Sequence, residues 1–141
     1  MEVRLAGDPS EVEQALALRE RVFCGEQGVE MAAERDGRDG EALHVVALEG
    51  GRVVGTCRLL LDDGVARLGR MAVEPELRRR GIGAALLHEA EHASAARGAH
   101  TVALHAQTAA CDLYARGGYV ERGEVFVEEG INHVTMERAL A

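Results

Sequence analysis

Apolar residues along this 141-residue chain repeat with two different periods, and the change from one period to the other predicts its elements. Alternating or unbroken apolar runs are typical of strands, whereas apolar spacings of three and four are typical of helices. Glycine-rich and Asp-Gly clusters separate the runs, as hairpin turns and helix ends require. The pattern predicts strands at Val3–Ala6, Leu43–Leu48, Arg52–Leu61, Val65–Val73, Thr101–His105, Tyr119–Val127 and Ile131–Arg138, and helices from about Ser10 to Cys24, Arg80 to Arg97 and Thr108 to Arg116.

The order of these elements is that of a mixed α/β fold, a sheet flanked by helices. Ser10 and Glu13 have the spacing of a capping box, which predicts the start of the first helix. Gly25–Gly40 is polar and irregular, so we expect a long loop or a short helical turn there. Since no repeat or linker interrupts the chain, residues 1–141 are expected to form one domain.

Composition and charge narrow the class of protein. The formal net charge of −8 argues against a nucleic-acid partner, which normally requires a basic face. No apolar run approaches the ~20 residues of a membrane span, and the N-terminus lacks the features of a signal peptide. Cys24, Cys57 and Cys111 are scattered without a CxxC pair, which indicates free thiols rather than a metal site. We therefore expect a cytoplasmic protein without a membrane or nucleic-acid partner.

The strongest chemical signal lies at residues 70–87, where a strand is followed by a loop and a helix. Glycines at 81 and 83 allow a ligand to approach the backbone closely, and the helix start presents free N–H groups. Arg78–Arg80 add positive charge, so the segment predicts a pyrophosphate site. A solvated, arginine-rich helix start is the simpler alternative. Two other phosphate-binding motifs are excluded. The segment lacks the Gly-Lys-Ser/Thr triplet of a P-loop, and a dinucleotide-binding fingerprint would need glycine in place of Leu86.

The strand ending Met71-Ala72-Val73, followed by Arg78-x-x-Gly81-x-Gly83, resembles the acetyl-CoA site of the general-control-type N-acetyltransferases (GNAT). The resemblance implies a mixed, mostly antiparallel sheet of six to seven strands, flanked by helices, with a central splayed parallel pair. It also implies acetyl-CoA as cosubstrate and no metal. Further residues resemble the small ElaA-like branch: Leu18-Arg19-x-x-Val22-Phe23-x-x-Glu26-Gln27, Asp36-x-x-Asp39, His44, Ala106-Gln107, Tyr114, Gly118-Tyr119, Phe126 and Gly130-Ile131-x-His133.

In this family the pantetheine arm lies along the strand that ends here at Val73, and the pyrophosphate lies on the loop before the helix. Gln107 falls where many relatives carry an Asn that contacts the pantetheine. The resemblance therefore implies a cofactor-binding set of Met71, Ala72, Val73, Arg78, Arg79, Arg80, Gly81, Ile82, Gly83 and Gln107.

Tyr114 falls where relatives keep a tyrosine near the sulfur of coenzyme A, which implies that it protonates the departing thiolate. The alternative is a tyrosine that only packs on the sheet. Cys111 lies one helical turn earlier, and we expect it to be structural rather than an acyl carrier.

The general base is harder to identify, because many relatives use a glutamate where this chain has Arg67. The C-terminal hairpin offers His133 and Glu128 as the preferred candidates, with the carboxylate orienting the imidazole. Glu129, His105, Glu26 or a bound water remain alternatives, and a histidine with a purely structural role is the competing interpretation.

The predicted activity is direct acetyl transfer from acetyl-CoA to a primary amine on a small molecule or peptide. An acyl-CoA-binding or regulatory module with little turnover is the alternative, and a partner-binding domain is a third. Acidic residues at 26–39 and 128–129 are compatible with a cationic acceptor such as a polyamine, an aminoglycoside or a lysine side chain. Dimers are common among such proteins, so a homodimer is an open expectation.

Overall fold

A computed structural model describes residues 1–140, and its centre is a seven-stranded sheet. The strands lie in the order β1-β2-β3-β4-β5-β7-β6. Their bounds are β1 Glu2–Leu5, β2 Leu43–Glu49, β3 Arg52–Asp62, β4 Val65–Val73, β5 Thr101–Gln107, β6 Val120–Glu128 and β7 Ile131–Ala139. The helices are α1 Pro9–Arg19, α2 Met31–Glu34, α3 Ile82–Ala96 and α4 Cys111–Arg116, with a π-helical segment at Glu20–Glu26 and short 3₁₀ turns at Pro75–Leu77 and Thr108–Ala110.

The sheet is mixed, which confirms the predicted fold class. β4 and β5 pair in parallel from Val65 opposite Thr101 to Leu68 opposite Leu104, and the other strand pairs described are antiparallel. Although both strands continue to Val73 and Gln107, their pairing ends at Leu68. The two strands therefore separate in the middle of the sheet, as the resemblance implied.

Helices cover both faces of the sheet. Leu86, Leu87 and Ala90 of α3 are buried on one face, and Ala15 and Leu18 of α1 are buried on the other. This follows from the sequence, because successive residues of a strand point to opposite faces. Gly55 of β3 lets α3 approach closely, since a Cβ there would lie 2.8 Å from Cγ2 of Ile82.

The start of α1 differs from the predicted capping box at Ser10. Asp8 is the N-cap, and its carboxylate accepts a hydrogen bond from the backbone N–H of Glu11 at 2.9 Å. The Glu11 side chain in turn accepts from Gly7 N–H at 2.7 Å. Pro9 explains the shift, because proline has no N–H to lose and its fixed φ suits the first helical position. The capping pattern is therefore Asp8-x-x-Glu11.

The end of the first helical segment also differs from the prediction. Regular α-helix ends at Arg19, and the chain continues as a wider π-helical segment through Glu26, past the predicted end at Cys24. Such segments are uncommon and are often found at functional sites. Here the segment carries Glu26 and the following Gln27 toward the opening between β4 and β5.

Residues 25–40 contain the short helix α2 and are fixed to α1 and to β3 by ion pairs. Arg19 is 0% exposed and donates from Nε to Glu34 Oε2 at 2.9 Å and from Nη1 to Asp39 Oδ1 at 2.7 Å. Arg58 of β3 donates two hydrogen bonds of 2.8 Å to Asp36. The acidic residues of this segment thus anchor it to the protein.

Candidate active site

A cleft of about 1070 Å³ opens where β4 and β5 separate. Beyond Leu68, the backbone groups of β4 that face β5 have no strand partner. β4 also carries a bulge, because three steps from Gly69 to Ala72 oppose two steps from Arg58 to Thr56, and Arg70 adopts a φ of 55°. Bulges are common beside active sites, where they re-aim a strand. Met71–Val73 thus present free backbone groups to the cleft.

The start of α3 forms the second wall of the cleft and fits an anion. Arg79 and Gly81 both have left-handed φ values, 64° and 85°, a geometry that turns successive N–H groups toward one point. Gly81 is the N-cap and has no side-chain hydrogen bond to the first turn. The N–H groups of Ile82, Gly83 and Ala84 begin the helix and lack intrahelical partners. A pyrophosphate would satisfy them and meet the positive end of the helix dipole.

Arg78 does not point freely toward this helix start. Its Nε donates to the Val73 carbonyl at 3.1 Å, and Nη1 and Nη2 donate to the two oxygens of Glu26, both at 2.7 Å. The ion pair lowers the pKa of Glu26 and raises that of Arg78, chiefly through these hydrogen bonds. Arg79 and Arg80 are exposed beside it. Of the three arginines, Arg78 is therefore held by a carboxylate.

Gln107 is held in a similar way by the residue that follows Glu26. Its Nε2 donates to Gln27 Oε1 at 2.9 Å, and Gln27 Nε2 donates back at 3.4 Å. Glu26 and Gln27 thus contact residues that the sequence assigns to cofactor binding on both sides of the opening. We call these two residues and their contacts with Arg78 and Gln107 the Glu26–Gln27 strap.

Tyr114 of α4 lies against the middle of β4. The side chain is 7% exposed, and its hydroxyl donates to the sulfur of Met71 at 3.7 Å. Burial raises the pKa of Tyr114 well above its ordinary value, so the phenol is protonated at neutral pH. The residue lines the cleft, at the end where β4 has lost its strand partner.

The cysteines lack the electrostatics of a nucleophile. Burial raises the pKa of the Cys57 thiol to about 12, and burial with nearby carboxylates raises that of Cys111. Both thiols are therefore protonated near neutral pH, whereas the reactive form of cysteine is the thiolate. Cys24 is half-buried rather than in the core, and its pKa is also raised by burial.

His133 and His105 lie on either side of Phe126, on the wall formed by β5, β7 and β6. The His133 ring stacks on Phe126 with centroids 5.9 Å apart, and the His105 ring meets Phe126 edge-on at 5.0 Å. Nδ1 of His133 lies 2.7 Å from the Ile131 carbonyl, which can only accept, so Nδ1 carries the proton and Nε2 keeps its lone pair.

Glu128 does not orient His133, contrary to the sequence-based expectation. Its Oε2 lies 2.9 Å from Nδ1 of His105 instead. The reason is the irregular pairing of β6, in which the register shifts between Arg122 and Phe126 and sets Phe126 opposite His133. The local signal is Gly123, which lies inside the shift with a φ of 83°, since an isolated glycine within a strand often marks a bulge. Glu129 also lines the cleft, while Glu26 is bound to Arg78.

Arg67 occupies the cleft wall on β4, at the position where many GNAT proteins have glutamate. Its strand neighbours are Leu60 on β3 and Ala103 on β5. Within residues 1–140 its guanidinium makes no hydrogen bond or ion pair, unlike Arg58 and Arg70, which hold Asp36.

Two further observations concern the described part of the chain as a whole. Across residues 1–140, no three His, Cys, Asp or Glu side chains are arranged to hold a metal ion. None of the helices described has the length and apolar character needed to cross a membrane.

Comparisons by family model, by sequence and by structure all find similarity to acyltransferases. The family model described as "Acetyltransferase (GNAT) domain" matches residues 7–140. YjcF, an uncharacterized N-acetyltransferase of Bacillus subtilis (strain 168), is 34% identical over 137 residues, 96% of this chain and 98% of that protein. The structure of an acyl-CoA N-acyltransferase from Pseudomonas aeruginosa matches with a TM-score of 0.87 and 30% identity, covering 99% of this chain and 100% of that one.

The crystal structure of Escherichia coli ElaA is also similar, with a TM-score of 0.87, 26% identity and coverage of 98% of this chain and 99% of that chain. The similarity extends over the cleft, both of its walls and the segment that carries the Glu26–Gln27 strap. The chain belongs to the GNAT acetyltransferase family and is an acyl-CoA-dependent N-acyltransferase.

Proposed function

We propose that this protein transfers an acetyl group from acetyl-CoA directly to a primary amine of a small molecule or peptide in the cytoplasm. The observation that carries the proposal is the joining of three features in one cleft. These are the free backbone edge of β4, the uncapped start of α3 and the protonated Tyr114 between them. Together they match a ligand with an extended amide arm, an anionic group and a reactive thioester.

The binding of acetyl-CoA is assigned to the backbone more than to arginine side chains. Met71, Ala72 and Val73 would pair with the amides of the pantetheine arm as a strand pairs with its neighbour. The first-turn N–H groups at Ile82 and Gly83 would hold the pyrophosphate, with Arg79 and Arg80 adding charge. Arg78 and Gln107 would contact the cofactor once their hydrogen bonds to Glu26 and Gln27 break.

In the chemical step, the amine nitrogen attacks the thioester carbonyl, so that a C–N bond forms and the C–S bond breaks. A backbone N–H at the β4 bulge stabilises the developing oxyanion, a contribution of roughly 3 kcal/mol in comparable sites. Tyr114 donates its proton to the departing thiolate. Burial raises the pKa of Tyr114, which keeps the phenol protonated at neutral pH but also makes it a weaker acid, so the transfer depends on close positioning against the thiolate.

The attacking amine must be a free base, and His133 is the preferred acceptor of its proton. Its Nε2 lone pair is available because Nδ1–H is held by the Ile131 carbonyl. Glu128 supports the competing base His105, with which it is hydrogen-bonded. Replacing either histidine therefore has a different expected effect on the pH profile of kcat/KM.

Position 67 carries arginine where many relatives have glutamate, and this favours one other function, an acyl-CoA-binding module with little turnover. Free coenzyme A release in the presence of an amine panel separates the two functions. We expect amine-dependent release in the parent and a kcat about 10²-fold lower in Tyr114→Phe, because only the donated proton is lost. Coenzyme A affinity should be nearly equal in both proteins. Strong acetyl-CoA binding without amine-dependent release would favour the binding module.

A further inference from the structure

The charge of the cleft is opposite to the charge of the chain. Seven arginines but only four carboxylates are among the described residues that line it, although the whole chain carries a net charge of −8. A cleft with one dominant sign of charge concentrates ligands of the opposite sign. Four of these arginines are already held by carboxylates, so the uncompensated positive charge of the cleft is that of Arg67, Arg79 and Arg116, which make no ion pair within residues 1–140.

The acidic residues that line the cleft from the segment before β2 are already paired with arginines, whereas on the opposite wall Glu128 is hydrogen-bonded to His105 and Glu129 makes no ion pair within residues 1–140. Glu34 forms an ion pair with Arg19 at 2.8 Å, and Asp36 is bound by Arg58. The hydrogen bonds from Arg58 are the main reason that the pKa of Asp36 lies well below its ordinary value. The carboxylates of residues 26–39 that line the cleft, which the sequence made compatible with a cationic acceptor, are therefore already paired with arginines.

Arg67 is a positive charge that the cofactor does not explain. It lies six residues before Val73, which is about 20 Å along an extended strand and far from the phosphate-binding start of α3. Its strand neighbours Leu60 and Ala103 are apolar, and Asp62 on the adjoining strand makes no ion pair with it. The guanidinium thus lines the cleft without an ion pair within residues 1–140, away from the α3 start, and in the proposed function this end of the cleft receives the acceptor.

The spacing between Arg67 and the histidine wall suits a small bifunctional ligand. Arg67 is level with Ala103, and His105 lies two residues further on that strand, just past the last paired residue Leu104, so the two Cα atoms are at least about 8 Å apart. A ligand between them can meet the guanidinium with one group and the imidazole wall with another. A guanidinium beside the amine also disfavours the ammonium form, and so lowers the pKa of the nucleophile.

We propose that Arg67 binds an anionic group of the acceptor, which is therefore an amine carrying a carboxylate or similar acid close to its reacting nitrogen. The planar guanidinium suits bidentate recognition of a carboxylate. Arg67 thus acts as a specificity-determining residue, and free amino acids are the simplest members of this substrate class. The inference rests on the proposed acetyl transfer to an amine.

The test compares matched pairs of amines for binding to protein saturated with coenzyme A, so that no turnover occurs. Each pair is a free amino acid and its carboxamide, measured by titration calorimetry in phosphate-free buffer. Aminoalkylphosphonates distinguish a general anion site from a carboxylate site, and spermidine represents the cationic acceptors. We expect acids to bind at least about 10-fold more tightly than their amides, as for a hydrogen-bonded ion pair.

The variants assign that preference to Arg67. Arg67→Gln should abolish the acid-to-amide difference, Arg67→Lys should retain part of it, and Arg67→Glu should favour the amide and spermidine. Arg52→Gln, the same charge change on an exposed residue at the start of β3, is the matched control and should leave the ratio unchanged.

Equal binding of acids and amides, absence of binding by every acidic amine, or an unchanged ratio in Arg67→Gln would each overturn the proposal. Amine-dependent release of coenzyme A reports on the underlying activity separately. A protein that acetylates amides and polyamines as readily as acids keeps the proposed function and loses this inference. A protein that binds acidic amines through Arg67 without releasing coenzyme A does the reverse.

Discussion

At the scale of single residues, the two histidines beside Phe126 differ in one atom-level respect. His133 has a free Nε2 and a backbone-held Nδ1–H, whereas His105 receives its orientation from a carboxylate. If His133 accepts the proton of the amine, kcat/KM must fall as the pH drops through the pKa of the imidazole, because the protonated ring cannot act as a base.

His133→Ala should therefore lose the acidic limb of the kcat/KM profile and about 10²-fold of its activity. His88→Ala, on the exposed side of α3, is the matched control and should keep both limb and activity. Loss of the limb in His105→Ala or Glu128→Gln, with the His133→Ala profile unchanged, would assign the base to His105.

At the scale of elements, the Glu26–Gln27 strap holds Arg78, which the proposed acetyl-CoA site requires. Glu26→Gln removes the negative charge that holds this guanidinium and leaves the strand and helix untouched. We expect coenzyme A to bind about two- to fivefold more tightly, the size of an exposed ion pair. Glu76→Gln, which removes a nearby carboxylate without this contact, should have a smaller effect. Weaker binding in Glu26→Gln would show that the strap supports the cofactor site.

A substitution at the start of α3 should affect coenzyme A binding more strongly than Glu26→Gln. A carboxylate at position 83 would repel the pyrophosphate, and its Cβ would lie 3.3 Å from Leu113 Cδ2. Gly83→Asp should therefore lose the rise in melting temperature that coenzyme A gives the parent, while pantetheine without phosphates should stabilise both proteins little. Equal stabilisation of parent and variant by coenzyme A would show that the pyrophosphate does not bind at this helix start.

At the scale of the whole molecule, ion pairs between arginines and carboxylates link stability to acid pH. The pKa of Asp36 is lowered mainly by Arg58, and that of Glu11 is lowered to about 2 by Arg4. A carboxylate with a lowered folded-state pKa contributes stability above its unfolded value, near 4, and loses it as pH falls toward the folded value. The free energy of unfolding, measured with denaturant, should therefore decrease as the pH falls from about 4.5 to 2.

Asp36→Asn should flatten that acid dependence, since the linked proton is removed. Asp63→Asn in the exposed β3–β4 turn is the matched charge control. An acid slope of the same steepness in Asp36→Asn and the parent would assign the dependence to other groups.

How much of this could be predicted from the sequence follows from the range of the interactions. Strand periodicity and the Arg-x-x-Gly-x-Gly spacing are local, and they predicted the fold and the position of the α3 start. The partners of Glu26, Asp36 and Glu128 are set by distant segments, so the sequence could not show that Arg78, Arg58 and His105 hold them. The sequence also could not show that Arg67 makes no ion pair within residues 1–140, because that too depends on which distant segments surround it.

The central claim is that an acetyl group passes from acetyl-CoA to an amine without an enzyme-bound intermediate. It is tested most directly by incubating the protein with acetyl-CoA deuterated in its acetyl group and a mixed panel of amines. Mass spectrometry then follows both the amines and the intact protein. We predict that at least one amine gains one labelled acetyl group and that the protein gains none, since the Cys57 and Cys111 thiols are protonated. Labelled protein with unlabelled amines would contradict the account.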